Sequence, residues 1–161
     1  MLKRQSESVR SRVLMAGIAI LGLVIALPAW ASLGGGTASI EADQVRMQGT
    51  RKMTAEKNYT VHEIQGAAGG VVREYVSSSG KVFAVAWRGP WPPDLHQLLG
   101  SYSDQYVQAV NAQSGTRRGR RPLVVELPGL VVHSSGHPRD FGGMAYVPEN
   151  LPQGVRAEDI R

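Results

Sequence analysis

Cysteine is absent from the 161 residues of this chain. That excludes disulfide scaffolds, thiol catalysis, cysteine-held metals and lipid attachment through a cysteine. The sequence also has no P-loop, no G-x-G-x-x-G and no G-x-S-x-G elbow, so nucleotide binding and a serine-hydrolase site have no motif behind them. No cofactor is expected. An apolar run over residues 13–27 is 15 residues long, short of the roughly 20 that span a bilayer.

That run has the pattern of a signal peptide. Lys3, Arg4, Arg10 and Arg12 precede it, Pro28 ends it, and Ala29 and Ala31 form the small-residue pair before a cut after Ala31. The expected product is exported, periplasmic or secreted, with no stable membrane span after processing. Removing residues 1–31 leaves 130 residues, enough for one hydrophobic core without staples. It also leaves 14 basic and 12 acidic residues, so the working protein is close to neutral although the whole chain carries +5. Bulk charge therefore gives a nucleic-acid partner no support.

Residues 32–39, SLGGGTAS, hold little apolar surface and three consecutive glycines, which predicts a mobile lead-in. A short helix is expected over residues 40–48, capped by Ser39 with Glu41 and Asp43 in its first turn. Residues 50–58 read as a polar connection with room for a short strand. The organising stretch follows, where YTVHEI, VVREYV and VFAVAW are separated by QGAAGG and SSSG. Period-two alternation and short turns predict an antiparallel meander, and the third run, apolar on both faces, is its best-covered strand.

The elbow RGPWPP stops the strand, because proline fixes φ and supplies no backbone donor. Asp94 then occupies an N-cap position, with Gln97 as a capping-box partner. Leu95, Leu98, Leu99, Tyr102, Tyr106, Ala109 and Val110 keep the spacing of one buried helical stripe. Two β-branched runs, LVVEL and LVVHS, flank a Pro128-Gly129 turn; SSGHPRDFGG reads as a long loop and MAYV as a last strand. The expected architecture is α+β: an antiparallel sheet of about six strands with one principal amphipathic helix packed on it. The division is residues 1–31 signal peptide, 32–58 flexible lead-in and short helix, and 59–161 a single domain.

LGG after the cleavage site, YTVHEI, the stretch VVREYVSSSGKVFAVAWRGPWPPDLHQLLGSY and the LVV strands followed by SGHPRDFGGMAYVP resemble a family of small exported bacterial proteins known as a domain of unknown function. The resemblance covers nearly all of the processed chain and is most specific from REYV to LLGSY. It implies an exported domain and assigns no activity, so no catalytic residue is carried over.

Several residues carry chemistry worth placing. His133, His137 and Asp140 offer two imidazoles and a carboxylate to a metal ion, although Gly136 and Pro138 argue for a loop with His133 merely ending a strand. That trio defines an alternative reading as a hydrolase or metal enzyme. Ser134 and Ser135 beside the histidines are explained by turn chemistry. Glu63 and Glu74 are expected to face each other across the first hairpin, as solvent-facing charges in the simplest reading. Arg117, Arg118, Arg120 and Arg121 suit phosphate, carboxylate or sulfate groups on an anionic polymer, against the simpler reading of a solvated loop. Trp91, with Trp87 and the prolines, suggests a stacking platform for sugar rings or Pro-rich peptides, against the simpler reading of core aromatics. The leading expectation is a noncatalytic binding or accessory module with an envelope partner.

Overall fold

The computed structural model describes residues 33–114 and 122–161. The first four strands are β1 (Thr50–Ala55), β2 (Tyr59–Gln65), β3 (Val71–Ser77) and β4 (Val82–Gly89). Three more, β5 (Leu123–Leu127), β6 (Leu130–His137) and β7 (Asp140–Tyr146), complete one sheet in the order β1-β2-β3-β4-β7-β6-β5. Every pairing is antiparallel. The run VFAVAW is the middle strand and all six of its residues are buried, as a stretch apolar on both faces requires. The meander has one strand more than the six expected, because Thr50–Ala55 pairs along β2 as an edge strand exposed on every residue.

Helices cover one face. Leu33, Ile40, Ile64, Val72, Val85, Trp87, Leu98, Leu99, Tyr106, Val125 and Val132 belong to one core cluster, against which Leu95, Tyr102, Ala109 and Val110 pack. The predicted stripe therefore seals the sheet. Asp94 caps its start, accepting from the Gln97 amide at 3.1 Å, an interaction worth about 1 kcal/mol. The segment is bent: α2 (Leu95–Leu99) passes through a 3-10 turn, Gly100–Tyr102, into α3 (Ser103–Gln113). Gly100, at φ +52°, takes the left-handed conformation that side chains resist at this break.

The opposite face is closed by the C-terminal segment. Ile160, Leu151 and Val155 pack with Tyr75, Phe83, Ala84 and Ala86. A bulge opposite Tyr75 and Val76 makes Phe83 the extra residue of β4, so Phe83 and Ala84 join the same cluster although adjacent in sequence. Phe83 meets Tyr59 edge-on at 5.8 Å, a favoured aromatic geometry.

Three expectations are corrected. The lead-in is not mobile from Leu33 onward: Leu33 is buried, its amide donates to the Leu98 carbonyl, and Gly34 and Gly35 bond with Val82. Backbone hydrogen bonds to β4 and α2 supply what the segment's own apolar surface cannot. The first helix, α1 (Thr37–Arg46), begins three residues before Ile40, so Ser39 is buried inside it and does not cap it; Gly36 holds the cap position without a side-chain bond. Finally, SSGHPRDFGG is a hairpin: β6 runs on to His137, Pro138 and Arg139 make the turn, and His137 pairs with Asp140. Arg139 takes φ +69° there, a conformation the sequence does not advertise because glycine usually marks it. The cleavage pair Ala29 and Ala31 lies outside the described residues, as do Arg117, Arg118, Arg120 and Arg121.

Candidate functional site

The proline elbow after β4 forms a cavity of about 220 Å³. Its walls come from the end of α1 (Arg46, Met47), the turn between β2 and β3, the elbow itself, and the start of α2 (Asp94, Gln97, Leu98). Pockets that enclose a drug-sized ligand run from about 300 Å³ upward, so this one fits a single ring or side chain. Trp87 and Trp91 both line it and differ sharply in exposure. Trp87 is buried, its indole lying over Gly143, where a Cβ would come within 2.4 Å of Cζ2. Trp91 is 67% exposed, an indole left at the mouth of the cavity.

Beside this cavity the structure buries two carboxyl groups. Asp43 on α1 and Glu74 on β3 are each fully buried, and the two carboxyls are neighbours. Neither oxygen of Glu74, nor Oδ2 of Asp43, has a hydrogen-bond partner among the described residues. Two neighbouring buried carboxyls, with no donor to Glu74 among the described residues, favour holding a proton, because like charges repel there. Burial, then the neighbouring Asp43 charge, pushes the Glu74 carboxyl up to about 8. Burial also raises Asp43, opposed first by the bond it accepts from the Gln97 side-chain amide. The pair thus holds a proton into the neutral range. His62, opposite Glu74 in the ladder, is held below the usual imidazole range by burial and by Arg51, and its Nδ1 has no partner.

The expected pairing of Glu63 with Glu74 is corrected. Glu63 pairs with Arg73 and His62 with Glu74, so the two glutamates point to opposite faces of the sheet. Glu63 accepts from Arg73 Nε at 2.7 Å in a half-exposed bridge. Little in the sequence distinguishes the two glutamates, because packing over β3 is what buries Glu74. A weak signal did exist: Glu74 shares its strand face with Val72 and Val76, a lone carboxyl in an apolar row.

The metal trio does not converge. His133 and His137 lie four residues apart on one extended strand, about 13 Å at the usual strand rise. Asp140 sits opposite His137 and pairs with Arg88 at 3.3 Å. Helical proximity at that spacing is lost once the segment is a strand, and no group of three His, Asp or Glu among the described residues is placed to hold a metal ion. No helix among the described residues is long and apolar enough to cross a membrane.

Comparison with known proteins adds one finding. Residues 29–160 match a family described as Protein of unknown function (DUF2844). No curated protein and no solved structure matches the chain.

Proposed function

From the premise that this chain belongs to the DUF2844 family, which carries no assigned activity, we propose that it is an exported, noncatalytic binding module. Its elbow cavity would hold one proline or aromatic side chain from an extended segment of an envelope protein. Export is supported by the basic head, the apolar core and the Ala29-x-Ala31 pair. The observation that carries the binding reading is the Trp91 indole, 67% exposed beside a cavity walled by Pro90, Pro92, Pro93 and Trp87. Rings of proline and tryptophan present flat, rigid surfaces that lose little entropy on contact, which is how aromatic-lined grooves hold Pro-rich peptides. The cavity volume matches one inserted group, so affinity would come from a short motif.

Two measurements test this reading. Intact mass of the protein recovered from the cell envelope is expected to show a chain beginning at Ser32; one beginning at Met1 removes the signal-peptide part. Short peptides with a central proline or aromatic, titrated into isotope-labelled protein, are expected to shift the Trp91 indole and Ala68 resonances saturably. Trp91→Ala should weaken that binding by about tenfold or more. Saturation by short glycans in place of peptides would move the reading to sugar recognition, and no saturable shift with either would overturn it.

A further inference from the structure

Three elements each supply a wall of the elbow cavity. Arg46 and Met47 come from the end of α1, Val71 and Val72 from β3, and Asp94, Gln97 and Leu98 from the start of α2. Asp43, Glu74 and Gln97 belong to the same three elements or their first turns. Gln97 bonds to Asp43, and Glu74 is the buried neighbour of Asp43, with neither Glu74 carboxyl oxygen partnered among the described residues. We propose that this trio is a proton-dependent clamp on the cavity, holding α1, β3 and α2 together while Asp43 and Glu74 share one proton and releasing them when it is lost. The inference rests on the elbow cavity being the binding site and concerns the regulation of that site.

Gln97 shows why the link reaches the cavity. Its backbone amide bonds to the Asp94 cap, which fixes the start of α2. Its side chain does not take the reciprocal capping role expected for it and instead reaches 54 residues back in sequence to Asp43. The same residue lines the cavity. α1 is the element most easily released, because ten residues make a marginal helix alone and no side chain caps its N-terminus.

The surrounding charges do not replace the shared proton. Arg46 on α1 and Arg51 on β1 act on Asp43 and Glu74 respectively, each favouring the ionised form, while Asp94 at the head of α2 acts in the opposite direction on Asp43. His62 on β2 faces Glu74 and burial favours its neutral form, whereas Val85 on β4 faces it without charge. None of them donates a hydrogen bond to either oxygen of Glu74. Once the proton leaves, two anions share a dry site with one amide donor between them. Separating α1 from β3, so that water enters, relieves that repulsion.

The test follows the Glu74 side-chain carboxyl by carbon NMR in the labelled protein, together with the Trp91 indole, Ala68 and the α1 amides, from about pH 5 to about pH 9.5. Glu74 is expected to titrate near 8, with the cavity and α1 signals moving at the same midpoint. In Glu74→Gln, those signals should stop moving between about pH 6 and 9. In Asp43→Asn, whose amide can donate to an ionised Glu74, the Glu74 midpoint should drop by at least about one unit. Titration of wild-type Glu74 below about pH 6 overturns the shared proton. Titration near 8 with the cavity signals still overturns the clamp. Neither readout uses a peptide, so failure of peptide binding and failure of the clamp are separately visible, and the wild-type titration decides even if a variant does not fold.

Discussion

Glu63 and Glu74 sit one hairpin apart on adjacent strands, and the two faces of the sheet treat them oppositely. Glu63 remains 37% exposed and finds a guanidinium that is itself 40% exposed, an arrangement that water and salt screen to about 1 kcal/mol or less. Glu74 lies under α1 with no cation bonded to it. It keeps a proton instead, because an unpaired buried charge costs more than the proton does. A carboxyl's role is therefore set by what covers its face of the sheet.

The comparison can be broken most forcefully by unsealing the helical face. Leu99→Ala removes a fully buried side chain from the stripe and is expected to cost about 2–5 kcal/mol in urea unfolding. A matching loss on the other face should be smaller. Tyr75 donates to the Arg161 carbonyl at 2.7 Å and accepts from the Arg161 amide at 2.9 Å, so Tyr75→Phe should cost about 1–2 kcal/mol by the same measurement.

The pH dependence sharpens the contrast. Glu74 is raised from its ordinary 4.5 to about 8 in the folded protein, so the folded state binds the proton more tightly than the unfolded one. Its contribution to stability is fully present below about 4.5 and is lost as pH rises through about 8. The melting temperature should accordingly fall between those values in the wild type and stay nearer to constant in Glu74→Gln. Glu63→Gln should leave that slope in place and change stability by about 1 kcal/mol or less, with the difference shrinking in salt. The smallest effect belongs to the hairpin tip: Arg139→Gly relieves a φ of +69° and should raise stability by up to about 1 kcal/mol in the same unfolding experiment.

Much of the fold was legible because it is local. Tyr59–Gln65, Val71–Ser77 and Val82–Gly89 announce themselves by alternation and by the turns between them, and Asp94 by its place after three prolines. Residues 134–143 read as a loop and form a hairpin instead, because Pro138 and Arg139 make a tight turn without the usual glycine. The candidate site was half legible. Trp91 stood out beside its prolines, but the residues that complete the cavity come from α1 and the turn between β2 and β3, which no spacing along the elbow can reveal.

The sequence by itself determined β2, β3 and β4, the sealing stripe of the helix, its cap and the apolar character of the central run, since each depends on neighbours within a few residues. Tertiary structure alone decided that β7 returns beside β4, that Gln97 turns to Asp43, and that Glu74 is the buried glutamate. Those outcomes depend on groups tens of residues apart meeting in a space without water, where the cost of an unpaired charge selects the partner.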